Sequence, residues 1–140
     1  MRFFLLLFCS LVSFSTSFSQ NDEIEPNFHI KSIFFGGGSY IIDDGQSAEL
    51  RDFLEQFHPI EEYEIFIQSH TDNIGSMDYN LWLSNRRGEM TRAHIIHHGI
   101  PSHILTNQDF GEIKPQFEND DFQGRSANRR VDIIIRRIVF

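Results

Sequence analysis

The strongest constraint on the fold is a strand-like run, a long helical run and a second strand-like run in succession. The first run, Tyr63–Gln68 (YEIFIQ), alternates in polarity and is rich in β-formers. The helical run ends at Gly99, and Pro101 prevents its continuation because proline lacks a backbone N–H. The second strand is expected at Ile104–Phe110. A passage of this kind favours parallel neighbouring strands joined by a right-handed crossover.

The helix between these strands is expected to begin near Ser76 or Met77. Its apolar residues recur at i, i+3, i+4 and i+7, which predicts one buried face. The residues expected on that face are Tyr79, Trp82, Leu83, Met90, Ala93 and either Ile95 or Ile96.

The rest of the chain supplies an outer strand, a second helix and a closing strand. Ile30–Phe35 is predicted as the first strand, and a helix follows from Asp43 or Asp44 toward Pro59. Residues 111–128 are polar and predicted as a loop, and Val131–Ile135 is apolar enough for a central strand. The order β-α-β-α-β-loop-β predicts an α+β sandwich, with a mixed sheet and the helices packed on one of its faces.

The N-terminal residues read as a targeting segment. Arg2 precedes an apolar run at Phe3–Val12, and Ser17–Ser19 has the small-x-small form of a cleavage site. Residues 1–19 are therefore predicted to be a secretory signal peptide, with an uncleaved membrane anchor as the alternative. A short polar leader is expected at 20–29, and a single domain at 30–140.

The only cysteine, Cys9, lies within this segment. A lipid attachment site needs a small residue before the cysteine. Phe8 occupies that position, so lipidation of Cys9 is not expected. Cleavage after Ser19 would leave a mature chain without cysteine, which excludes a disulfide framework and thiol catalysis.

Charge and residue patterns exclude further classes of function. A formal net charge of −8 opposes non-specific nucleic-acid binding, which depends on phosphate neutralisation by basic residues. No second apolar run is long enough for a transmembrane segment. Glu61 and Glu62 are adjacent and would point apart on a strand, and no nucleophile–base pair stands out, so neither an enzyme nor a cofactor is expected. His94 and His98 could chelate a metal at i, i+4, but they lack further ligands nearby in sequence, and a solvated helix end explains them equally well.

Two opposite charges lie at the two ends of the strand–turn–helix unit. Asp72 belongs to the turn Thr71–Gly75, and Arg87 lies on the helix, on the same side as Asn80. A carboxylate and a guanidinium facing one cleft could bind the ammonium and carboxylate of an amino-acid zwitterion. The alternatives are that Asp72 caps the helix or forms an ion pair with Arg87.

Several linked motifs resemble the C-terminal, OmpA-like domain of the outer membrane protein A family, which peptidoglycan-associated lipoproteins and flagellar stator proteins share. The resemblance covers roughly residues 30–135. The matching residues are His70-Thr71-Asp72, Gly75, Tyr79-Asn80, Leu83-Ser84, Arg87, Phe110-Gly111-Glu112, Pro115, Asn119, Gly124-Arg125 and Asn128-Arg129-Arg130-Val131.

The resemblance implies non-covalent binding of peptidoglycan through the diaminopimelate of its stem peptide. The family's aspartate and arginine for this contact fall on Asp72 and Arg87, while Asn80 and Leu83 match positions that shape the pocket. Thr71 and Gly75 would form the turn beside it, and Arg129 is expected near the cleft. We therefore expect a periplasmic module associated with the cell wall or outer membrane. The alternative is a protein-interaction module on the same fold without wall binding, and envelope proteins are further candidate partners.

Three features depart from the family pattern. Ser69 replaces the usual glycine before His70, and Gly88 replaces the usual alanine after Arg87. The triple glycine at 36–38 is unusual for the first loop and is expected to allow a positive φ in a turn.

Overall fold

The computed structural model describes residues 28–139, so the predicted signal peptide, most of the predicted leader, and Cys9 lie outside the described residues. The strands are β1 (Phe28–Phe34), β2 (Tyr63–His70), β3 (Leu105–Gly111) and β4 (Arg130–Arg137), and the helices are α1 (Asp44–Leu54), α2 (Met77–His97) and α3 (Phe122–Asn128). One-turn 3₁₀ helices lie at Ile60–Glu62 and Ser102–Ile104. Within 28–139, no helix is both long and apolar enough to cross a membrane.

The four strands form one mixed sheet in the order β1-β4-β2-β3. β2 and β3 pair in parallel, as the strand–helix–strand passage predicts. The first strand–helix–strand passage, β1-α1-β2, is also expected to give parallel neighbours, and this expectation is wrong because β1 and β2 are not adjacent. The closing strand β4 inserts between them and pairs antiparallel with each. Its predicted central position is confirmed.

The helices cover one face of the sheet. The side chains on that face alternate along β1, β2 and β4 with less buried ones and are almost fully buried: Ile33, Ile65, Ile67, Val131, Ile133 and Ile135. Leu50 and Leu54 of α1 and Ile95 of α2 complete this core. The opposite face is open, with Phe28 and Ile30 about half exposed. The predicted architecture of helices on one face is thus confirmed.

The buried face of α2 differs from the predicted one. Tyr79 and Trp82 are more than 40% exposed, and Ala93 is also exposed, so their assignment to the core is wrong. Of the two alternatives Ile95 and Ile96, Ile95 is the buried one. Leu83 and Ile95 are buried as expected, and the other buried residues are small or polar: Asn80, Ser84, Arg87, Gly88 and Thr91. Polar residues face inward because the strand ends offer backbone partners there. Ser84, for example, accepts a hydrogen bond from the Gly111 N–H at 3.0 Å.

A third helix replaces part of the predicted loop. α3 begins after Asp121, whose carboxylate accepts the Gly124 N–H at 2.7 Å. Asn128 at its end is fully buried and holds the preceding loop through hydrogen bonds with Gln116 and Phe117. This helix positions Arg129, which follows it directly, at the end of the sheet where β1 and β2 terminate.

Candidate functional site

A small hollow of about 220 Å³ lies where β1 and β2 end and β4 begins. It brings together four of the residues selected from the sequence, Asp72, Leu83, Arg87 and Arg129. Asp72 and Arg87 therefore share one hollow and do not point to separate surfaces. The hollow holds one carboxylate and two guanidinium groups, which gives it an excess of positive charge.

Asp72 is held in place by two contacts that do not involve Arg87. Its Oδ1 accepts the Ile74 N–H at 3.1 Å, and its Oδ2 lies 3.0 Å from Nη1 of Arg129. The N-cap of α2 is instead Ser76, which accepts the Tyr79 N–H. Both simpler roles considered for Asp72, helix cap and ion-pair partner of Arg87, are therefore replaced by a turn contact and an ion pair with Arg129.

Arg87 is fully buried and bonds to backbone carbonyls from two segments. Its Nε donates to the Ser39 carbonyl at 2.8 Å, its Nη1 to that of His70 at 3.0 Å, and its Nη2 to that of Gly36 at 3.1 Å. Burial lowers the pKa of Arg87 to about 10, although the nearby Asp72 carboxylate opposes this. The side chain is therefore still charged at neutral pH, and it fastens the loop after β1 to the end of β2.

The other three predicted residues lie beside the hollow and do not line it. Gly75 has a φ of +107°, and an added Cβ would lie 3.0 Å from a ring carbon of Tyr79. Asn80 is buried and donates to the Glu112 carboxylate, linking α2 to the loop after β3. Thr71 is buried at the exit of β2.

Four lining residues were not selected from the sequence: Gly37, Gly38, Ile74 and Tyr79. The unusual triple glycine was the available signal. Gly38 adopts the expected positive φ, +68°, and an added Cβ would lie 3.4 Å from the Tyr79 hydroxyl. The carbonyl of Gly36 in the same loop accepts from Arg87. Gly38 thus lets the loop approach the tyrosine closely, while the neighbouring Gly36 carbonyl bonds to the arginine.

His94 of α2 and His98, directly after this helix, face α1. Nδ1 of His94 and Nε2 of His98 lie 3.0 and 3.3 Å from the Ser47 hydroxyl. Among residues 28–139, no group of three or more histidine, cysteine, aspartate or glutamate side chains is placed to hold a metal ion.

The two family departures at 69 and 88 meet in space. A Cβ added at Gly88 would lie 2.5 Å from the Ser69 Oγ and 3.0 Å from an Asp109 carboxylate oxygen. Ser69 is fully buried, and its hydroxyl has no hydrogen-bond partner among the described residues. The Ser69 side chain of β2 thus occupies the space that a side chain at position 88 of α2 would fill. The two departures therefore compensate each other.

We expect Gly88→Ala to destabilise the protein by about 1–3 kcal/mol through overpacking, despite the better helix propensity of alanine. Combining it with Ser69→Gly should recover at least about 1 kcal/mol, because the two side chains compete for one space. Urea unfolding of the two single variants and the double variant measures this coupling. Strictly additive effects would contradict it.

Comparison with known proteins agrees with the resemblance seen in the motifs. The sequence profile described as the OmpA family matches residues 34–129. A peptidoglycan-associated lipoprotein of Rhizobium meliloti is 31% identical over 74% of this chain and 58% of its own length. An outer membrane porin F of Pseudomonas fluorescens is 34% identical over 79% of this chain but only 32% of its own. The chain thus spans only part of these curated relatives.

Solved structures show the same fold. The peptidoglycan-associated lipoprotein of Burkholderia pseudomallei superposes with a TM-score of 0.70 at 28% identity, covering 75% of this chain and 89% of that one. The periplasmic domain of Helicobacter pylori MotB gives a TM-score of 0.67 at 16% identity, covering 82% of this chain and 80% of that one, and supports the fold alone.

Proposed function

Because this chain belongs to the OmpA family, we propose that it is a non-catalytic module that binds peptidoglycan in the cell envelope. Relatives described as peptidoglycan-associated lipoproteins support the polymer as ligand. On this proposal the module acts in the periplasm, near the cell wall or outer membrane, and tethers itself or a partner to the wall.

The observation that carries the proposal is that Asp72 and Arg87, both buried, line the same hollow. Asp72 is 7% exposed and Arg87 is fully buried, so charges placed between them interact more strongly than at the surface. Arg87 uses three of its five N–H groups on carbonyls, so at most two remain for a ligand carboxylate. Asp72 accepts one donor on each oxygen, and each oxygen has a further lone pair for an ammonium.

The ligand we propose is the free zwitterionic end of diaminopimelate in the stem peptide. Its ammonium would bind Asp72, and its carboxylate would bind Arg87. Arg129 already neutralises Asp72, so the positive charge of Arg87 is in excess. This excess favours binding of the ligand carboxylate. Leu83 and Tyr79 would contact the aliphatic part of the ligand.

The contact between Arg87 and the ligand carboxylate is tested by changing the ligand, because substituting Arg87 would also remove hydrogen bonds that stabilise the fold. Calorimetric titration should show a diaminopimelate stem peptide binding at least about tenfold more tightly than its lysine analogue, which lacks the terminal carboxylate. Equal affinities would contradict recognition of that group. No binding of either peptide would contradict peptidoglycan recognition through this hollow.

The ammonium contact is tested at Asp72. Asp72→Asn retains an acceptor for the Ile74 N–H but loses the charge, and we expect binding to weaken by about tenfold or more. Asp52→Asn changes an exposed carboxylate on α1 and serves as the matched control, with wild-type affinity expected. Thermal unfolding of both variants verifies that they remain folded. Wild-type affinity in a folded Asp72→Asn variant would refute the contact.

A protein-interaction module is a second candidate, favoured by the open face of the sheet. Phe28, Ile30, Phe66 and Ile134 line a shallow depression of about 390 Å³ there. Retention on purified diaminopimelate-type peptidoglycan separates the two functions, because only the first requires it.

A further inference from the structure

An exposed aromatic cluster adjoins the hollow on the N-terminal half of α2. Trp82, the only tryptophan of the chain, is 47% exposed. Its ring stacks on Tyr79 at a centroid distance of 5.8 Å and an interplanar angle of 29°. Tyr40 approaches it edge-on at 6.2 Å. Single exposed apolar side chains are common, but three contacting aromatic rings are a distinct feature.

Polar side chains lie on the other side of Trp82. An open depression of about 540 Å³ is lined by Asp78, Leu81, Trp82, Asn85 and Asp109. Asn85 donates to Asp109 at 2.9 Å, which fixes an amide and a carboxylate beside the indole. One aromatic ring flanked by several hydrogen-bonding groups suits a pyranose ring, which presents C–H groups on its faces and hydroxyls around its rim.

The depression and the proposed peptide site are connected by a stacked pair of side chains. Tyr79 lines the charged hollow and also stacks on Trp82, so one side chain joins the two sites. The mixed polar lining also suits a sugar better than an apolar protein surface.

We propose that the Trp82 depression is a glycan subsite that binds a sugar ring of the peptidoglycan strand while the stem peptide occupies the hollow. This inference rests on the proposed function, because it assumes that the peptide anchors the same ligand. Trp82 and Leu81 supply the apolar floor, and Asp78, Asn85 and Asp109 supply groups for the sugar hydroxyls.

The test compares two ligands, the diaminopimelate stem peptide alone and the same peptide attached to its disaccharide. In the wild type we expect the disaccharide form to bind about tenfold more tightly. In Trp82→Ala the two ligands should bind with equal affinity. Trp82→Phe should retain part of the difference, because an aromatic ring remains. Ile96→Ala removes a similarly exposed apolar side chain of the same helix, away from the cluster, and should keep the wild-type ratio.

The outcomes separate the two proposals. If the peptide binds but the disaccharide adds no affinity, or if Trp82→Ala keeps the full ratio, the glycan subsite is refuted and the peptide site stands. If neither ligand binds the wild type, the proposed function fails, and the subsite fails with it.

Discussion

Replacing Arg87 by alanine is expected to lower the free energy of unfolding by about 3–5 kcal/mol, because three carbonyls lose their donors and a large buried side chain leaves a cavity. The substitution leaves the carbonyls of Gly36, Ser39 and His70 without their donors. Each buried carbonyl left unpaired costs about 1–3 kcal/mol, less where water can enter. The guanidinium also lies over the Phe35 ring at 5.1 Å, a contact that alanine cannot replace.

Urea unfolding measures this loss, and Arg86→Ala is the matched control. Arg86 is the neighbouring arginine, but it is exposed and pairs only with Glu89, so its loss should change the stability by less than about 0.5 kcal/mol. If Arg87→Ala destabilised as little as Arg86→Ala, the bracing role assigned to Arg87 would be wrong. The expected instability also means that loss of peptidoglycan binding in Arg87→Ala could not be assigned to a ligand contact.

Acidification from pH 6.5 to about pH 4 is expected to remove roughly 3 kcal/mol of stability through His70. His70 is 4% exposed and stacks on Phe110 at 5.2 Å. Burial, and then the positive charge of Arg130, lowers its pKa from 6.5 to about 4, while Asp132 acts in the opposite direction and Lys114 contributes through opposing smaller effects. Between these two values the unfolded chain binds a proton that the folded chain does not, so stability falls as the pH falls.

Unfolding free energies at pH 7, 5.5 and 4.5 test this dependence, each measured with urea. His70→Phe keeps the stacking on Phe110 and removes the titrating group, so its stability should fall less over this range. Some acid sensitivity is expected to persist in that variant, because burial also lowers the pKa of His94. His103→Phe alters an exposed histidine and should keep the wild-type dependence. An unchanged pH dependence in His70→Phe would contradict the role of His70.

The sequence predicted the strands and the two longer helices because each has a clear period and clear stop signals. Ser76 begins α2, and the apolar run of β4 lies in the middle of the sheet as expected. The insertion of β4 between β1 and β2 was missed, because the order of strands in a sheet depends on pairing between distant segments. α3 was missed because it is only seven residues long and mostly polar, and because its start depends on a single N-cap hydrogen bond to Asp121.

The site was predicted in part. The motif spacing selected Asp72 and Arg87, and the structure places both at one hollow. The bonds that hold each of them were not predictable, because Arg129 and the carbonyl of Gly36 come from distant parts of the chain. Trp82 was wrongly expected to be buried, because a prediction from helical spacing assigns every aromatic side chain in the pattern to the core. The buried face of α2 is instead occupied by residues that bond to strand ends.

The antiparallel register of β1 and β4 determines where the two ends of the domain lie relative to the hollow. Phe28 lies opposite Arg136, so both flanks of the domain leave from the same end of the sheet. The hollow lies past Phe34 at the other end, roughly 20 Å away along the seven residues of β1. A partner fused directly at the start of β1 or the end of β4 would therefore lie at the end of the sheet opposite the hollow.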